Sequence, residues 1–203
     1  MKREYVPALI IVMALVVVAI SGIGPHDRLT WFLEIAPIFA GVAILVYSYR
    51  RFPLSHLLYA FLLLHAVVLA VGGHYTYANV PAGFWVQEWL DLSRNPYDRL
   101  GHLAQGFVPA LLAREILIRR SPLENSKWLP FLVVCVCLSF SALYELIEWW
   151  AALILDQSAD QFLGTQGDVW DTQWDMFMAL IGAITALTTL GKAHDRSIAK
   201  VAM

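Results

Sequence analysis

Glu145 and Glu148, three residues apart in an apolar stretch, place two carboxylates on one face of a helix. Asp168, Asp171 and Asp175, at offsets of three and seven residues, form a second stripe. Asp98 and His102, four apart, share a third face. These groups can do two kinds of chemistry. Carboxylates with an imidazole can hold one or two divalent cations. Oxygen ligands suit Mg²⁺, Mn²⁺ or Ca²⁺, and the imidazole widens the choice to Zn²⁺ or Fe. Alternatively, acids crowded into apolar surroundings carry protons, as in a proton-coupled carrier. The Glu145-x-x-Glu148 spacing is similar to that of di-metal helical bundles, but their Glu-x-x-His pair is absent.

The elements that must position these groups are membrane spans. The chain has 203 residues, 59% hydrophobic and 15% charged, against about 45–50% and about 25% for soluble domains. Six apolar runs are each long enough to cross roughly 30 Å of hydrocarbon: Tyr5–Ile23, Trp31–Tyr49, Pro53–Gly73, Tyr97–Ile118, Trp128–Leu153 and Asp168–Leu190. None alternates as a barrel strand does. The fold class is therefore all-α, a bundle of six transmembrane helices. With no repeat, low-complexity tract or linker, residues 1–203 read as a single integral membrane domain.

Met1-Lys2-Arg3 before an apolar run resembles a secretory signal, but the run is long and Ala19-Ile20-Ser21 is a poor cleavage site, so a retained first helix is expected. Cys135 and Cys137 are two apart on one helix and read as packing residues.

Basic residues set the orientation. Lys2, Arg3, Arg50, Arg51, Arg114, Arg119, Arg120, Lys127, Lys192, Arg196 and Lys200 fall on one side, and Arg28, Arg94 and Arg99 on the other. The positive-inside rule then puts both termini in the cytoplasm. Acids show the opposite bias. Asp27, Glu34, Glu88, Asp91, Asp98, Glu145, Glu148, Asp156, Asp160, Asp168, Asp171 and Asp175 lie toward the outside. Acids contribute little to orientation, so their crowding needs its own cause.

From Pro81 to Leu92, Phe84, Trp85, Trp89 and Leu92 share one helical face, opposite Gln87, Glu88 and Asp91. This pattern predicts an external amphipathic helix lying in the interface, with Pro81 in its first turn. Trp31, Trp149, Trp150, Trp170 and Trp174 extend it into an outer aromatic belt.

Helix rise puts the polar groups at one depth. Glu145 lies 17 residues beyond Trp128, about 25 Å along its span. Glu34, His74, Asp98 with His102, and the late aspartates reach the same level from four other spans. Several have structural readings. Asp168 fits an N-cap with Asp171 in the first turn, and Asn95-Pro96 fits a cap with a first-turn proline, leaving Asp98 as an early-turn acid. Capping does not account for Asp175, nor for Glu145 and Glu148, which sit on the unfavourable side of a helix dipole. His65, mid-span, either extends the polar path inward or, the favoured reading, is a histidine satisfied by a neighbouring helix. Arg99 either neutralises the acids or snorkels outward.

The segments His74-Tyr75-Thr76-Tyr77, Asn95-Pro96-Tyr97-Asp98-Arg99-Leu100-Gly101-His102, Tyr144-Glu145-Leu146-Ile147-Glu148-Trp149 and Gly167-Asp168-Val169-Trp170-Asp171-Thr172-Gln173-Trp174-Asp175-Met176 resemble the YjdF family of bacterial inner-membrane proteins. The resemblance spans nearly the whole chain and implies an inner-membrane location and a multi-helix fold, without assigning an activity. A fainter likeness is to VanZ-like membrane proteins. It rests on the order of Asp98/His102, Glu145 and Asp168/Asp171/Asp175, with Glu148 where those proteins often have glutamine.

The expected function is a multi-pass inner-membrane protein whose outward acidic site binds a divalent metal (Mg, Mn or Zn) and processes a lipid or envelope substrate. Glu145, Glu148, Asp171, Asp175 and His102 are the expected ligands or bases. Glu34, His74, Asp98, Asp168 and Arg99 are expected to support them or contact substrate. The alternatives are a proton- or ion-coupled transporter and a non-catalytic envelope partner. Membrane lipids are the expected partners, nucleic acid is not, and a protein partner is unspecified.

Overall fold

The computed structural model describes residues 5–155 and 165–202. Lys2, Arg3, Glu4, Asp156 and Asp160 lie outside the described residues. Helices occupy every expected position: α1 (Tyr5–Ser21), α2 (Arg28–Ser48), α3 (His56–Tyr75), α4 (Pro81–Trp89), α5 (Tyr97–Arg120), α6 (Trp128–Leu155) and α7 (Asp171–Ala202), with no strand among the described residues. By length and composition α2, α3, α6 and α7 are clear membrane spans, and α1 is a shorter apolar helix of 17 residues. The 24-residue α5 is long enough to cross but more polar, because it carries Asp98, Arg99, His102, Gln105, Arg114 and Glu115.

Local chemistry moves several boundaries from the expected ones. Asp27 caps α2 by accepting the Thr30 N–H at 2.7 Å, so the helix begins before Trp31. That hydrogen bond holds the Asp27 carboxyl below its ordinary value. Ser55 caps α3 by accepting the Leu58 N–H at 3.4 Å, leaving Pro53 outside. The cap of α5 is Pro96, one residue later than expected, while Asn95 Oδ1 accepts the Tyr97 N–H at 3.0 Å. Asp168 precedes α7, and its side chain accepts the Trp170 N–H at 2.9 Å in a turn. At the far end α7 continues to Ala202 instead of stopping at Leu190. His194 and Ile198 are buried, while Asp195 and Arg196 stay exposed.

The helices form two groups. α3 packs on α1 and α2, α5 packs on α6 and most closely on α7, and α3 joins α5 to link the groups. Close approach of α5 and α7 depends on small residues. A Cβ on Gly106 would fall 1.8 Å from the Ala179 carbonyl oxygen, and one on Gly182 would fall 2.1 Å from that of Leu103. Ala179, Ala183 and Ala186 are wholly buried along this seam.

Large apolar side chains such as Val12, Ile20, Phe39, Ile44, Phe131 and Phe140 point outward, the surface that a lipid environment accepts. α4 begins with Pro81 and leaves Trp85 and Trp89 exposed, as an interfacial helix requires. Trp149, Trp150, Trp170 and Trp174 are exposed as well. Trp31 departs from the expected belt: it is half-buried, its indole N–H donating to Ser21 Oγ at 3.0 Å.

Candidate functional site

At the end of the bundle where α5 and α7 begin, Glu34, Asp98, His102, Glu145, Glu148, Asp171 and Asp175 are all buried. Four helices deliver them. α2 brings Glu34 beside Gly73 of α3, where an added Cβ would sit 3.0 Å from Glu34 Cβ. α5 brings Asp98 and His102, α6 brings Glu145 and Glu148, and α7 brings Asp171 and Asp175. Asp168 joins from the turn before α7.

Two arginines thread this group. Arg99 pairs with Asp168 at 3.0 Å, with Asp171 at 2.9 Å, and with Asp175. It therefore neutralises rather than snorkels. Arg94, which sequence reasoning missed, pairs with Asp98 at 3.2 Å, with Asp168 at 3.7 Å, and with Asp171. The Arg94 guanidinium also donates to the Thr165 carbonyl at 3.1 Å. Asn95 and Gln166 exchange hydrogen bonds at 3.1 Å, closing the loops before α5 and α7 over the cluster. Arg94 stands in a polar loop beside a turn asparagine and carries no periodic signal of its own.

His102 occupies the centre. Its Nδ1 donates to Gln105 Oε1 at 2.8 Å, which leaves Nε2 with the lone pair in the neutral ring. Nε2 faces Asp98 Oδ1 at 3.6 Å and Asp175 Oδ1 at 3.8 Å. Two arrangements relieve the repulsion a lone pair would meet there: an imidazolium paired with both carboxylates at these separations, or a neutral ring sharing a cation with them. Around a metal with ligands at about 2.1 Å, tetrahedral neighbours stand about 3.4 Å apart. One ligand atom from each of Asp98, His102 and Asp175 lies within 4.8 Å of the other two. Glu145 Oε1 is buried, has no hydrogen-bond partner, and lies 3.8 Å from the other ring nitrogen of His102.

The expected residues thus divide. His102 and Asp175 meet as expected, and Asp98 stands with them rather than behind them. Asp171 is held by arginine, Glu145 lies beside the other ring nitrogen of His102, and Glu148 is buried on the same helix. His74 is not brought to the group: its Nδ1 bonds the Ser21 carbonyl at 2.7 Å and ties α3 to the end of α1. Asp27, Glu88 and Asp91 also stay apart, the first as a helix cap and the others exposed.

Below the cluster a cavity of about 370 Å³ runs into the bundle. Glu34, Asp98, His102, Gln105, Tyr77, Tyr144 and Glu148 line the end nearest the cluster, and Leu112, Ala113, Ile116, Val136 and Phe140 the apolar remainder. Tyr77 is a second residue that sequence reasoning missed. Its backbone is left-handed (φ 45°), and its ring fills space that only glycine leaves at positions 72 and 101. The Tyr144 hydroxyl reaches Glu34 Oε2 at 3.5 Å. His65 also lines the cavity, and its buried Nε2 has no partner, contrary to the expectation of a satisfied histidine.

Comparison with known proteins adds the following. Residues 6–196 match the family model described as "Predicted membrane protein (DUF2238)". The chain is 55% identical to Inner membrane protein YjdF of Escherichia coli (strain K12) over 201 residues, 98% of this chain and 96% of that one. The VanZ-like resemblance is not among these findings. No solved structure matches.

Proposed function

We propose a function for this chain, which belongs to the DUF2238 family of membrane proteins: binding of a divalent metal at Asp98, His102 and Asp175 and metal-dependent processing of a lipid or envelope substrate. The observation that carries the reading is the setting of His102. One ring nitrogen is committed to Gln105, and the other faces two carboxylates at distances suited to a shared cation. Donating the spare N–H to a carbonyl is how metal-bound histidines are usually oriented. The carboxylates of Glu34, Asp98, Glu145, Glu148, Asp168, Asp171 and Asp175 also outnumber the guanidinium groups of Arg94 and Arg99.

The donor set of two carboxylates and one imidazole suits Zn²⁺ or Mn²⁺, with Mg²⁺ less favoured by the nitrogen. Such an ion polarises a phosphoryl or carbonyl oxygen, or lowers the pKa of a bound water. Glu145 and Glu148 are the carboxylates that would serve as general base in this reading. The carrier alternative is not favoured, because the apolar part of the cavity is lined by Leu112, Ala113, Ile116 and Val136 and offers no route for a hydrated ion.

Elemental analysis of the purified protein tests the reading. About one metal ion per chain is expected, absent from the Asp98→Asn/His102→Ala double variant and retained by His74→Ala. Folded wild-type protein that stays metal-free after incubation with Zn²⁺, Mn²⁺ and Mg²⁺ would overturn it.

A further inference from the structure

The apolar part of the cavity bears on what the acidic site acts upon, and this inference rests on the metal-site reading above. On α6, Val136, Phe140, Tyr144 and Glu148 recur every four residues and form one stripe of the cavity wall. The facing stripe on α5 runs from His102 to Ile116, about 21 Å at helical rise. A cavity of about 370 Å³ spread along that wall is on the scale of one hydrocarbon chain rather than two.

The tube also has a side facing lipid. α2 packs on α3 and lightly on α1, while α6 packs on α5 and α7, so α2 and α6 flank the cavity without packing extensively on each other. Tyr144 bridges this seam to Glu34 at the polar end of the cavity. Phe140, which lines the cavity from α6, is 59% exposed, as a residue bordering a lipid-filled slot would be.

We propose that the substrate is a single-chain amphiphile, entering from the bilayer between α2 and α6, with its chain along α5 and its oxygen-rich headgroup at His102 and Glu148. The polar end meets the metal ligands, and the apolar end is solvated by Leu112, Ala113 and Ile116. The wall determines chain length, because Ile116 is the last α5 residue that lines the cavity. Ala113 therefore acts as a specificity-determining position: a larger side chain there shortens the tube without touching the metal ligands.

Native mass spectrometry of the detergent-solubilised full chain tests this, with lysophosphatidic acids of graded chain length and diacyl phosphatidic acid as probes. Single-chain probes are expected to bind roughly tenfold or more tightly than the diacyl lipid. Ala113→Phe should move the preferred chain several carbons shorter while metal content stays at the wild-type level. Leu112→Phe serves as a milder second variant, should Ala113→Phe fail to fold. Equal binding of both lipid classes, or an unchanged chain-length profile in whichever variant folds, would overturn the proposal. Chain-length-selective binding that survives in metal-free Asp98→Asn/His102→Ala protein would uphold the tube while removing the metal reading. Intact metal with no chain selectivity would do the reverse.

Discussion

Arg99 illustrates what a sequence leaves open for one side chain. Its position beside Asp98 allowed either neutralisation or escape to water. Burial decided the matter: three aspartates surround it, and its side chain is 15% exposed. Removing one partner of such a buried pair costs on the order of 3–5 kcal/mol, because the others keep uncompensated charge. Arg99→Met is therefore expected to lower the unfolding temperature in detergent clearly, whereas Arg50→Ala at an exposed position should not. Equal melting of Arg99→Met and wild type would contradict the ion network. The clustered residues themselves were legible where spacing carried them, as with His102 four residues after Asp98. Tyr77 and Arg94 lie in turns and act through shape and charge, so periodicity does not find them. Promotion of Asp98 to the centre was equally hidden, because its early-turn position has a capping explanation that fits as well.

At the scale of elements, the α5–α7 seam holds the site together, since these helices carry both ends of the arginine–aspartate network. Gly106 presses directly on the Ala179 carbonyl. Gly106→Val is expected to cost about 1–3 kcal/mol by overpacking, and by separating the helices to lose bound metal as well. A variant that keeps wild-type metal content and stability would show that the seam is not what positions the ligands. The opposite end of the same seam is held differently. Glu115 and His194, both wholly buried, meet at 3.1 Å. Glu115 also accepts the Ser55 N–H and an Arg119 N–H, each at 2.8 Å. This fully satisfied knot locks α3, α5 and α7. The sequence reading overlooked it because Glu115 and its arginines look like charges at the end of a span. Span positions were readable from apolar runs. The extension of α7 was not, because it depends on a partner surface for His194 and Ile198.

For the whole molecule, hydropathy and charge fixed the class, and the helices stand where the apolar runs are. What one-dimensional order could not supply is which helices touch, and therefore the cavity between the two helix groups. Orientation is inferred from the basic residues clustered opposite the acidic site, which would put that site in the periplasm. A fluorescent protein fused after Met203 should then fluoresce, and alkaline phosphatase fused in the loop after α4 should be active. The reverse pattern would move the site to the cytoplasm. The central claim, a cation shared by Asp98, His102 and Asp175, is tested most directly by locating the metal. In crystals of metal-loaded protein, an anomalous difference peak is predicted about 2.0–2.6 Å from His102 Nε2 and from carboxylate oxygens of Asp98 and Asp175. An ordered site with no peak there, His102 Nε2 bonded directly to a carboxylate, would contradict it.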